Sequence, residues 1–200
     1  MEIGKVLFIL AFSCQLSAFS CYAAEDIKNP NVAGQFYPSN PKELSQMVEG
    51  LLAAATPEAA EGEIFAIIAP HAGYVFSGQT AAFGYKLIRN KPYKTVVVIG
   101  PSHRYSFSGV SVYPKGVFLT PLGTLDIDEQ FCRKLLYQDN SIYFDPAAFK
   151  EEHSVEVQLP FLQLSLKGFK IVPIIMGDCS LEVCRKLADL LKVAIGERTD

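Results

Sequence analysis

His71, His103 and His153 are the three histidines of a 200-residue sequence, and each stands where it could do chemistry. His71 follows the apolar run Ile67-Ile68-Ala69-Pro70 and opens a Pro-His-Ala-Gly-Tyr turn. His103 closes Val-Val-Val-Ile-Gly-Pro-Ser-His, and His153 follows Glu151 and Glu152. Neutral imidazole is a common ligand for transition metals, and its ordinary pKa also suits acid–base work near neutral pH. Ligands of open α/β sheets bind beyond the carboxyl ends of strands. If the strands before His71 and His103 are parallel neighbours, a right-handed crossover brings both imidazoles to one sheet edge. There they could share a metal ion. His153 opens a predicted helix, whose N-terminus favours the neutral ring while the two glutamates favour the charged one. That setting suits a catalytic acid or base, or a group that orients substrate. Tyr74 and Tyr105 flank the first two histidines and are candidate pocket residues. Taken singly, each histidine also reads as an ordinary hydrogen-bonded side chain.

The elements that must position these residues follow from the apolar pattern. Leu44, Met47, Val48, Leu51 and Leu52 form the apolar face of a helix capped by Ser39 or Asn40, with Pro41 in its first turn. Residues 64–70 read as a strand, and 77–90 as a helix capped by Ser77. Strands follow at 94–101, 109–114 and, with a turn, 117–128. Helices are predicted at 128–138 and at 153–166, with Pro160 inside the second or at a break in it. A strand at 169–178 leads to a helix over 180–197 capped by Ser180. Continuous apolar strands alternating with amphipathic helices predict one α/β domain, its sheet mostly parallel and flanked by helices. The last helix ends close to Asp200, whereas an alternating pattern ordinarily continues into another strand.

Several chemistries are excluded. There is no Walker loop, no G-x-G-x-x-G, and no G-x-S-x-G nucleophile elbow. Half the residues are apolar, 20% are charged and the net charge is −3. No basic stripe argues for nucleic acid. Residues 1–24 read as a secretory signal: Lys5, an apolar core from Val6 to Leu16, then Cys21 and Ala23 at the small-residue positions. This predicts export to a periplasm or secretion, with the membrane involved only through that signal. An uncleaved anchor is the alternative. The remaining domain is 25–200. It keeps Cys132, Cys179 and Cys184, which read as small core residues. Cys179 and Cys184 could alternatively pair as a disulfide, and Cys179, after Asp178 at a helix start, could be a thiolate.

The segments Val-Ala-Gly-Gln-Phe-Tyr-Pro, Ile-Ile-Ala-Pro-His-Ala-Gly-Tyr, Gly-Pro-Ser-His, Thr-Pro-Leu-Gly-Thr-Leu-Asp, Glu-Glu-His-Ser-Val-Glu and Val-Pro-Ile-Ile-Met-Gly-Asp occur in this order. In combination they closely resemble the Memo family, also called the AmmeMemoRadiSam system protein B family, from about Asn29 onward. The resemblance implies a fold similar to class III extradiol dioxygenases. It implies a redox-active metal, iron(II) or copper, held by two histidines and a cysteine. His71 and His103 match the two histidine ligands, and His153 matches a histidine lining the same pocket. The family's cysteine ligand lies in a later Cys-Gly segment, preceded by a Ser-Ser-Asp segment with its own histidine. Neither occurs here, so the expected fold is incomplete at its C-terminus. The functions implied are a dioxygenase-like oxidoreductase acting on a small or aromatic molecule, or a non-catalytic protein binding metal or a peptide. A hydrolase using a metal-bound water is a third, weaker expectation.

Overall fold

The computed structural model describes residues 27–196. The predicted signal, residues 1–24, lies outside the described residues. The chain enters through a short strand, β1 (Ile27–Lys28), and an irregular segment, then forms α1 (Pro41–Ala54). Asn40 caps this helix, its Oδ1 accepting the backbone N–H groups of Lys42 at 2.9 Å and Glu43 at 3.2 Å. Pro41 suits the first turn because its missing N–H would have no helical partner there. Leu44, Val48 and Leu52, spaced four apart, are fully buried. Asn40→Ala is expected to cost about 1 kcal/mol, the usual worth of an N-cap, measured by urea denaturation.

The helix α2 (Tyr74–Leu87) begins three residues before the expected Ser77, with Gly73 at its cap position. Ser77 lies inside it, its hydroxyl donating to Ala72 O at 3.1 Å. The reason lies in Tyr74, which is 4% exposed and binds the core through its ring. The α1–α2 contact is close, since a Cβ on Gly78 would stand 2.9 Å from Leu51 Cδ1. The predicted strand at 64–70 is not a strand: these residues join no ladder, and Phe65 is 84% exposed and Ile68 fully exposed.

The next elements are β2 (Thr95–Pro101), β3 (Val110–Val112), the hairpin β4 (Val117–Thr120) and β5 (Gly123–Asp126), and α3 (Glu129–Leu135). They are followed by β6 (Ile142–Tyr143), α4 (Ala147–Lys150), a 3₁₀ turn (Glu156–Gln158), α5 (Leu159–Ser165), β7 (Lys170–Met176) and α6 (Leu181–Ile195). Pro160 sits in the first turn of α5, so the predicted helix at 153–166 is divided just before it. Ser180 caps α6 as expected, its hydroxyl accepting Val183 N–H at 3.3 Å.

The main sheet has the order β2-β7-β3-β6, and a smaller one the order β1-β4-β5. β2 runs parallel to β7 over their full lengths, from Thr95 opposite Lys170 to Pro101 opposite Met176. β3 is antiparallel to β7 and parallel to β6. The domain is therefore α/β with mixed sheets. Helices α1, α2 and α5 pack together as one group, and α3 packs with α6 as another. β7 is central, and its Ile171, Val172, Ile174 and Ile175 are fully buried.

Among the described residues, Cys132, Cys179 and Cys184 are free thiols. Cys132 is fully buried as expected, and burial pushes its thiol up to about 12. Cys184 is exposed, which corrects its reading as a core residue. Cys179 is not poised as a thiolate: burial raises its pKa, and its Sγ donates to Gly109 O at 2.9 Å.

Candidate metal centre

Three loops bring the three histidines together. His71 lies just before α2, His103 two residues past the end of β2, and His153 between α4 and the 3₁₀ turn. The ring centroids of His71 and His103 are 5.1 Å apart, those of His103 and His153 4.6 Å, and those of His71 and His153 6.2 Å. His71 and His103 thus meet without the pair of adjacent strands that the sequence suggested. His71 is carried by the turn into α2, and His103 by the strand end.

Glu152 organises the cluster. Its side chain is 2% exposed. Oε2 accepts the His103 backbone N–H at 2.5 Å, while Oε1 faces His103 Nδ1 at 2.9 Å. Oε1 also accepts the backbone N–H groups of His153 and Ser154, each at 2.7 Å. Burial opposes the charge, but the hydrogen bonds from the His103 ring and these backbone amides outweigh it, holding the carboxyl at about 2. An ionised carboxylate only accepts, so His103 Nδ1 carries a proton towards Glu152, which leaves Nε2 as the ring atom that can face a ligand. Burial lowers the pKa of His71, as does the neighbouring His103, against the pull of Glu152. Burial also lowers the pKa of His153, with Glu152 opposing and His103, His71 and Arg104 adding to the shift. Both rings are therefore neutral at pH 7 and offer lone pairs.

One atom each from His103, Glu152 and His153 lies within 4.8 Å of the others, a spacing that can hold a metal ion. The nitrogen donors suit iron, copper or zinc. In the sequence Glu152 reads only as a charge beside His153, yet its carboxylate ties the backbone of the His103 loop to that of the His153 loop. Its signal was the doubled Glu-Glu before His153, in which Glu151 is exposed and Glu152 buried.

A cavity of about 580 Å³ opens over the cluster, lined by His71, His103, His153, Phe36, Val75 and Phe76 among others. The Phe36 ring lies 4.7 Å from that of His153. Glu156 fixes the segment that carries Phe36. It is 4% exposed and accepts the N–H groups of Asn31 at 2.6 Å and Val32 at 2.9 Å, and the Tyr37 hydroxyl at 2.6 Å. The recoverable signal for Glu156 is an acid set between Val155 and Val157, three residues after His153. Tyr74 and Tyr105 do not line the cavity. Tyr74 is buried and donates to Val157 O at 2.6 Å, and Tyr105 stacks on Phe107.

The Memo-like protein family matches residues 28–200. A MEMO1 family protein of Thermoplasma acidophilum is 39% identical over 166 residues, covering 82% of this chain and 61% of its own length. One from Pyrococcus furiosus is 42% identical over 176 residues, covering 86% of this chain and 60% of its own. One from Methanopyrus kandleri is 38% identical over 182 residues, covering 86% and 64% respectively. The chain thus spans less than two thirds of the length of these relatives. With the family match running over residues 28–200 and relatives 38–42% identical over more than four fifths of the chain, the chain belongs to the Memo family.

Proposed function

We propose that this chain binds iron(II) or copper at the histidine cluster, with His71 and His103 as imidazole ligands. A small or aromatic molecule would occupy the apolar cavity beside them, and His153 would accept a proton from it. The observation that carries this reading is the Glu152–His103 contact, which fixes the ring's tautomer and leaves Nε2 as the donor. When bound, iron or copper would supply one-electron chemistry. The chain's own part is to orient its imidazole donors, to seat an apolar ring between Phe36 and Phe76, and to keep His153 neutral and ready to take a proton.

The exposure of Val75 at 78% and Phe76 at 87% favours a second reading, in which metal or a peptide is held without turnover. Anaerobic titration of the full chain with iron(II) and copper(I), with elemental analysis, tests the first step. One metal per chain is expected, with His71→Ala weakening binding about tenfold or more. Absence of stoichiometric metal in a folded chain would overturn the metal reading. Ring opening of a catechol by the loaded chain would then separate the oxidoreductase from the holder.

A further inference from the structure

Glu152 ties the His103 loop to the His153 loop, but no hydrogen bond runs from it to His71. The His71 turn must be held from elsewhere. The residues that lead into it, 64–70, join no strand. Their start is held where Ile64 O accepts the Tyr93 hydroxyl at 2.6 Å. From Phe65 to His71, one hydrogen bond among the described residues reaches a distant part of the chain: Gln158 Nε2 donates to Pro70 O at 3.2 Å. Pro70 has no N–H, so this carbonyl is its only polar backbone group. Its carbon is bonded to the nitrogen of His71, so a grip on Pro70 O is a grip on His71.

The surroundings of Gln158 fix its amide in the orientation that makes this bond. Gln158 is 8% exposed and ends the 3₁₀ turn after His153, where Val157 N–H bonds back to His153 O at 3.0 Å. A carbonyl only accepts, so the amide must turn its nitrogen towards Pro70. Its oxygen then faces the Tyr85 hydroxyl, which donates to it at 2.6 Å. Tyr85 is fixed in turn, being buried with its ring stacked on Phe161 at 5.0 Å between centroids. Tyr74, about three turns earlier on the same face of α2, donates to Val157 O at 2.6 Å. Helix α2 thus grips two consecutive residues of the 3₁₀ turn, and the second of them grips the segment that leads into α2.

We propose that Gln158 is the positioning residue for His71, tying its turn to the His153 loop as Glu152 ties the His103 loop to it. Gln158 does not line the cavity. It acts by fixing where the His71 imidazole stands relative to that of His103, 5.1 Å away between centroids. The role rests on the reading of His71 as a metal ligand. A methionine at 158 fills the same space but cannot hold Pro70. Because Pro70 is half-buried, its released carbonyl turns to water and draws His71 out of the cluster.

The test compares Gln158→Met with the wild type in the full chain. Ser180→Ala, which loses the cap of α6 in the other helix group, serves as a variant destabilised elsewhere. Without metal, the His71 imidazole resonances should move towards those of free histidine in Gln158→Met and stay in place in Ser180→Ala. Anaerobic iron(II) titration should show affinity lowered about tenfold in Gln158→Met and unchanged in Ser180→Ala. In a His71→Ala background, Gln158→Met should cost no further affinity, because both changes act through one imidazole. Loss of Gln158 strands the Tyr85 hydroxyl in the core, so Tyr85→Phe with Gln158→Met removes both partners and gives a second, better-folded variant. It should show the same shift and the same loss. His71 resonances unmoved in both folded variants would overturn the proposal, as would an equal loss of affinity in the His71→Ala background, the mark of general loosening. A wild-type chain that binds no iron(II) would overturn the metal reading instead, and the resonances would still decide the role of Gln158.

Discussion

His103→Ala abolishes stoichiometric metal binding, and Glu152→Gln weakens it about 10–100-fold, the usual effect of removing a carboxylate that orients a ligating imidazole. The second substitution is the more informative. Gln keeps the size of Glu152, but its amide nitrogen cannot accept a hydrogen bond. The carboxylate faces donors at both oxygens: His103 N at one, and His103 Nδ1, His153 N and Ser154 N at the other. One side of the new amide must therefore oppose an N–H, and the ring of His103 loses its fixed tautomer. The same change has a signature without metal. The carboxyl lies at about 2 in the folded chain against an ordinary 4.5, so the folded state favours the charged form. Its contribution is full above about pH 4.5 and is lost as pH falls towards 2. It amounts to roughly 3 kcal/mol. Urea denaturation of the chelator-treated chain at pH 7 and pH 3 should show a loss of stability for the wild type that is smaller in Glu152→Gln. Equal metal affinity in the two proteins would mean that Glu152 shapes the loops without orienting a ligand.

The site was legible in the sequence further than the elements that carry it. Gly-Pro-Ser-His after an apolar run places His103 at a strand end, and the structure has it there. The Ile64–Pro70 run has the same apolar character, yet it forms no strand. The difference is pairing: β2 finds β7, 75 residues later in register, while residues 64–70 find no partner among the described residues. A strand is a property of two segments, and apolar composition speaks for one. The start of α2 was misplaced for a related reason. Ser77 is the better cap by chemistry, but burial of Tyr74 pulls the helix three residues back. Glu152 and Glu156 were hard to value because their importance lies in backbone donors from loops 49 to 125 residues away. The mixed sheet, too, rests on β3 entering antiparallel to β7, which local patterning does not encode.

Gly100→Ala is expected to cost about 2–3 kcal/mol, the upper part of the range for overpacking a well-fitted contact, and to loosen the metal centre with it. Gly100 sits near the end of β2, three residues before His103, and its close neighbour is Ser154, which follows His153. A Cβ at Gly100 would lie 2.3 Å from Ser154 Oγ and 2.7 Å from Ser154 Cβ. Neither atom can swing clear at little cost. The hydroxyl is held by its bond to Pro101 O at 2.9 Å, and the backbone N–H of Ser154 is held by Glu152. The methyl group therefore drives apart the two loops whose imidazole centroids stand 4.6 Å from each other. Backbone strain is not the cause, since Gly100 is not among the glycines with positive φ. That makes the prediction separable. Ser154→Gly removes both clashing atoms and leaves the Ser154 carbonyl carbon, at 3.3 Å, as the nearest contact. The double variant should recover a large part of what Gly100→Ala loses, apart from the hydrogen bond to Pro101. A coupling of 1 kcal/mol or more in that cycle, by urea denaturation, locates the effect at this contact. Metal affinity should fall in Gly100→Ala and return in the double variant. Additive losses would instead mean that the strand end tolerates the methyl group by shifting as a whole, carrying His103 and His153 together.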